Sequence, residues 1–163
     1  MRLTMTIPTV SRAGVRHALE ALVRRNQDLL RETRVPPLYA ARVAYRPEPQ
    51  GLEDWDALDI VWPRGYGDCE DLAGWRAAEL RENGEHARAD CYVSRVSPEG
   101  RRVWHCIVVR EDGTIEDPSI QLGMLRRRGH APQGAPFVEV SGRQLTDVYT
   151  HNQLVRRAVR RWR

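Results

Sequence analysis

The segment from Gly67 to Ser119 constrains this chain most, because one helical period is followed directly by three β-rich runs. Over residues 69–82, Leu72, Ala73, Ala77 and Leu80 recur at helical spacing. Asp68 suits the N-cap, Glu70 and Asp71 favour the positive end of the helix dipole, and Asn83-Gly84 stops the run. Residues 87–96 and 101–110 are rich in β-formers and are separated by the turn Ser97-Pro98-Glu99-Gly100. Glu111-Asp112-Gly113 signals a second hairpin, and residues 114–119 complete a third strand limited by Pro118. Strands joined by turns this short pair antiparallel.

The flanks are less regular. Residues 11–33 predict an amphipathic helix capped by Ser11, with Val15, Leu19, Leu22, Leu29 and Leu30 near one face and Pro36-Pro37 after it. Residues 38–45 read as a short strand or an extended arm. Residues 46–67, rich in Pro, Gly, Asp and Trp, read as a long ordered loop with one helical turn around Trp55 to Leu58. Residues 121–136 read as a loop exposing Arg126-Arg127-Arg128, residues 137–140 as a fourth strand, and residues 144–163 as a basic helix.

With 163 residues, the chain is long enough for one domain with a real core. Its 41% hydrophobic and 29% charged residues are those of a soluble globular protein. No apolar run reaches membrane-spanning length, and Pro8 interrupts the start before a signal-peptide core, so a cytoplasmic protein with no membrane partner is expected. All 26 basic residues are Arg, which leaves no lysine for a Schiff base or an isopeptide bond. The last eight residues hold five Arg. They make nucleic acid a conceivable partner, although a solvated helix face explains them more simply. Cys69, Cys91 and Cys106 form no C-x-x-C pair and no disulfide framework. If Ser97 pairs with Gly100, Cys91 faces Cys106, and a reducing compartment keeps both as thiols.

Three residues carry the chemistry. Cys69 begins the 69–82 helix, whose N-terminus stabilises a thiolate and whose free N–H groups can bind an oxyanion. The flanking acids Asp68, Glu70 and Asp71 oppose this by raising the thiol pKa. His105, in an apolar strand, has the pKa of a general base near neutrality. Asp117 follows twelve residues later and could orient the imidazole. The hairpin register decides whether they meet. A two-residue loop at Asp112-Gly113 puts His105 and Asp117 on opposite faces. A three-residue loop with Gly113 left-handed pairs Val109 with Ile115 and makes Asp117 the diagonal same-face neighbour of His105, with Cβ atoms somewhat under about 7–8 Å apart. Glycine in third place predicts the longer loop.

Gly67-Asp68-Cys69-Glu70-Asp71-Leu72-Ala73, then Trp104-His105-Cys106, then Glu116-Asp117-Pro118-Ser119, resembles the transglutaminase-like superfamily, its small bacterial and phage-borne members in particular. The resemblance covers about residues 52–120 within a single domain spanning 1–163. It implies a papain-like α+β fold in which the cysteine helix packs on an antiparallel sheet, with Cys69 as nucleophile, His105 as general base and acid, and Asp117 as orienter. It implies no metal and no organic cofactor. The activity implied is amide chemistry through a thioester on a protein or peptide substrate, as a peptidase or amidase releasing to water or as a cross-linking acyltransferase releasing to an amine. A non-catalytic structural or assembly protein keeping the fold is the alternative. Family members often place an aromatic side chain near the oxyanion, which makes Trp55, Trp62 and Tyr66 candidates.

Overall fold

A computed structural model describes residues 11–49, 54–96, 98, 100 and 102–124. Helix α1 runs Arg12–Glu32, and the Ser11 side chain accepts from the Gly14 N–H at 3.1 Å. Its buried residues Val15, Ala18, Leu19, Leu22, Val23, Asn26 and Leu29 repeat every three or four positions, which is the amphipathic face the sequence predicts. A 3₁₀ turn at Leu38–Ala40 leads into the two-residue strand β1, Ala44–Tyr45. Helix α2 spans Leu58–Arg64, and strand β2 is Tyr66–Gly67. Helix α3, Cys69–Glu82, ends where Asn83-Gly84 predicts. Strands β3 (Arg88–Val96), β4 (Arg102–Val109) and β5 (Ile115–Glu116) follow, and then the short helix α4, Pro118–Gln121.

The protein is α+β. Strands β3, β4 and β5 form an antiparallel sheet in that order, while β1 pairs in parallel with β2 beside the start of α3. Helix α3 lies between two apolar clusters. Ala73, Ala77, Ala78 and Leu80 meet Val15, Leu19 and Val23 of α1 and Ala89, Cys91, Cys106 and Val108 of the sheet. Leu72 and Trp75 meet Leu22, Leu29, Leu38, Leu58 and Val61. The helix is therefore buried nearly all round, where its sequence suggests a single stripe. Gly74 fits this crowding, since a Cβ there would come within 2.9 Å of Leu22.

Three expectations change. The extended arm at 38–45 is a 3₁₀ turn and then β1, with Arg42 in the left-handed region (φ +56°) between them. The loop expected at 46–67 contains α2, placed later than the turn at Trp55 to Leu58. Leu58 and Val61 bury at helical spacing and Gly65 (φ +76°) closes the helix, whereas Pro63 inside it disguises it. The third strand stops at Glu116 because Asp117 caps α4 and Pro118 takes its first turn, where proline is favoured. The Cys91–Cys106 pairing occurs, but a bulge between Val93 and Arg95 shifts the register nearer the turn, so Val96 faces Arg102. Both cysteines are free thiols. The expected Arg126–Arg128 loop, the 137–140 strand and the 144–163 helix lie outside the described residues. No helix among the described residues is long and apolar enough to cross a membrane.

Trp75 has 0% of its surface exposed, so Trp75→Ala is expected to lower unfolding free energy by about 3–5 kcal/mol. Val96, 54% exposed, should change by less than about 0.5 kcal/mol on the same substitution. Urea titrations of both variants check the contrast.

Candidate active site

Two carboxylates fix the turn that begins α3. Asp71 accepts from the Asp56 N–H at 2.8 Å, from the Arg64 guanidinium at 3.0 Å and from the Asp68 N–H at 3.4 Å. Asp56 binds the same guanidinium at 2.6 Å. Gly67 permits this closeness, because a Cβ there would lie 3.1 Å from both Asp71 Cβ and Val61 Cγ1. The strap Ala44–Arg46 crosses the same turn: the Ala44 and Arg46 N–H groups donate to the Gly65 and Gly67 carbonyls, and the Tyr45 N–H donates to Leu122.

The β4–β5 hairpin supplies the other half. Val109 pairs with Ile115, Gly113 has φ +82°, and the Arg110 N–H donates to the Thr114 carbonyl at 2.9 Å, so the three-residue loop forms as expected. The ladder ends one pair later, yet His105 Nε2 lies 2.7 Å from Asp117 Oδ2. Asp117 Oδ1 meanwhile accepts from the Ser119 and Ile120 N–H groups at 3.1 and 3.2 Å. One side chain thus caps α4 and holds the imidazole. Tyr92 braces the His105 ring edge-on at 5.6 Å between centroids. Arg76 of α3 binds Glu116 at 2.6 Å and Glu79 at 3.2 Å, and the Tyr39 hydroxyl also donates to Glu116, tying the hairpin to α3 beside Asp117.

With Nε2 engaged by Asp117, the other ring nitrogen is left for Cys69, and the two side chains interact directly. Cys69 also contacts the Cys106 thiol and donates to Glu70 Oε2 at 3.2 Å. The sulfur and carboxylate donor atoms of Cys69, Glu70 and Cys106 all lie within 4.8 Å of one another, as do oxygens of Glu48, Asp68 and Glu70. Cys69 itself is partly exposed.

Electrostatics oppose a resting thiolate. The Cys106 contact and burial push the Cys69 thiol well above its ordinary value, while the His105 contact pulls it down. Burial works against the His105 imidazolium, but Asp117 and Cys69 outweigh it and raise the pKa well above the usual histidine value. Burial first, and then Cys69, Asp68 and Asp71, raise Glu70 strongly. The Cys69 contact pulls Cys106 down, yet burial prevails and pushes it up to about 12. The helix N-terminus alone predicts a lowered thiol. Its advantage is lost to a second thiol and to burial.

The aromatic candidates separate. Trp55 packs on the same apolar cluster as Cys69. The Arg46 and Arg64 guanidinium groups both lie over the Tyr66 ring, each 4.7 Å from its centre. Trp62 is 39% exposed on α2. Tyr45, which the sequence reading passed over, is nearer to the chemistry. Burial, and then Cys69, Asp68, Glu70 and Asp117, raise its pKa and keep the phenol neutral. Its signal in the sequence was the apolar-aromatic run before Arg46, too short to place.

No protein-family model matches the chain, and no curated protein matches it. Among solved structures, the crystal structure of the periplasmic domain of TgpA from Pseudomonas aeruginosa bound to ethylmercury is similar at 22% identity and a TM-score of 0.38. That match covers 74% of this chain and 49% of the other, so the chain spans about half the length of that domain. Similarity at this level carries no argument about activity.

Asp117→Asn keeps a good N-cap for α4 but removes the charge facing His105. The His105 pKa should fall, because burial then has one fewer opponent. In wild type, the pair's contribution to stability is present at pH 5–6.5 and is lost as pH rises through the raised folded value. NMR titration of the imidazole in both proteins checks the shift, and an unchanged value would remove Asp117 as its cause.

Proposed function

We propose that this chain is a cysteine hydrolase of amide bonds in proteins or peptides, built on a papain-like core of transglutaminase-like type. The observation that carries the reading is His105, held by Asp117 through Nε2 at 2.7 Å and in side-chain contact with a cysteine at the first residue of α3. The order Cys, His, Asp and the Gly-Asp-Cys-Glu-Asp start support the same family.

In this mechanism the Cys69 sulfur attacks the substrate carbonyl carbon while its proton passes to His105. Asp117 stabilises the imidazolium that forms. The oxyanion lies at the free N–H groups of the first turn of α3. Collapse breaks the C–N bond, and His105 returns the proton to the departing amine. Water then attacks the thioester with His105 as base, releasing the carboxylic acid and restoring the thiol. An amine in place of water would give cross-linking. The raised Cys69 thiol means that the proton transfer accompanies attack, with no preformed ion pair. The same raised thiol favours the rival reading of a non-catalytic protein that keeps the fold.

The two readings part on the alkylation of Cys69 by iodoacetamide against pH, read by mass spectrometry alongside hydrolysis of a casein or peptide library. Hydrolase action predicts a rate that climbs as His105 loses its proton, a step that its raised pKa moves well above the ordinary histidine range. It also predicts a loss of at least about 10²-fold in His105→Ala and no turnover in Cys69→Ala. Equal alkylation of wild type and His105→Ala, with no turnover, would leave the structural role.

A further inference from the structure

Glu70 is 4% exposed, and its Oε1 has no hydrogen-bond partner among the described residues. A buried carboxylate oxygen left without a partner is costly. Its other oxygen is 3.2 Å from Cys69 Sγ, and Cys106 Sγ completes a set of three donors mutually within 4.8 Å. Tetrahedral zinc with Zn–S near 2.3 Å and Zn–O near 2.1 Å separates such donors by about 3.6–3.8 Å, within the span available.

We propose that Cys69, Cys106 and Glu70 form a binding site for one thiophilic divalent cation, zinc above all, which occupies the nucleophile. Two thiolates and a carboxylate are a borderline-soft donor set that selects zinc over calcium or magnesium. Binding releases both thiol protons, together with any proton held on Glu70, to water and leaves the fourth position to a water molecule. The ion enters from the partly exposed side of Cys69, where Glu48 and Asp68 add negative charge around Glu70. None of the donors comes from the His105–Asp117 pair, which is left intact. Metal binding stands on this geometry alone. Its consequence, reversible inhibition by masking the sulfur, rests on the hydrolase reading above.

The test is titration of the reduced protein with Zn²⁺ by calorimetry, and with Co²⁺ for the sulfur-to-cobalt charge-transfer band. One equivalent should bind, with the band present, and Zn²⁺ should protect Cys69 from iodoacetamide until a chelator is added. Cys106→Ser and Glu70→Gln should each weaken binding more than about tenfold, while Cys91→Ser should not. Circular dichroism confirms that each variant is folded, and the wild-type protection assay needs no variant. Absence of binding, binding unaltered in both variants, or binding of Ca²⁺ and Mg²⁺ without a charge-transfer band would overturn the site. The hydrolase reading fails separately. A chain that binds zinc but shows no His105 dependence of alkylation keeps the metal site and loses the enzyme, and the reverse result does the opposite.

Discussion

The Asp71 carboxylate holds the first turn of α3 in place by accepting from the backbone before α2, from Arg64 at the end of α2, and from Asp68 at the helix cap. Three segments that share no regular hydrogen-bonding pattern are fastened through this one side chain. Cys69 stands where it does because of that. The arrangement is buried, and Asp56 shares the guanidinium. Such a cluster adds little net stability, since desolvation offsets the attraction, but removing one partner costs about 3–5 kcal/mol. Its role is specificity of placement.

The hairpin solves the complementary problem of bringing His105 to the same place. Side chains alternate along a strand, so a slip of one residue between β4 and β5 would turn Asp117 away from the imidazole. Gly113 sets the register by taking a left-handed conformation at no steric cost. Arg76 then joins α3 to Glu116, the residue before Asp117, so the helix bearing the thiol and the hairpin bearing the imidazole are linked directly. The chain's lack of lysine matters here. A guanidinium can bind Glu116 and Glu79 together while lying over the Tyr39 ring at 5.1 Å, which a point-charge ammonium does less well.

Much of this was legible because the relevant signals are local. Ser11, Asp68 and Asn83-Gly84 mark helix ends through hydrogen bonds made within a few residues. Glu111-Asp112-Gly113 specifies a turn by its own backbone, and from the turn the Val109–Ile115 pairing follows by counting. What was missed depends on contacts distant in sequence. Helix α2 has no side-chain cap at Ala57, and its start is held instead by Asn26 of α1, which accepts from the Leu58 N–H at 2.9 Å. Tyr45 reaches the site only because β1 pairs with Gly67 and Leu122. Asp117 read equally well as the partner of His105 or as a strand terminator, and its side chain meets His105 while capping α4.

The charge state of the thiol was the least legible property, because it is a balance of terms of opposite sign. A helix N-terminus offers roughly half a positive charge and a few free N–H groups. In this chain one of those groups, at the cap, is already turned toward Asp71, and three acids share the positive end. Burial then penalises any new negative charge on sulfur. The remaining stabilising partner is His105, whose own cation depends on Asp117. What lowers the Cys69 thiol therefore comes from the hairpin, not from the helix that carries the sulfur. A neutral resting thiol is also the less easily oxidised form, so the Cys106 contact and the burial that delay its ionisation also protect it from oxidation.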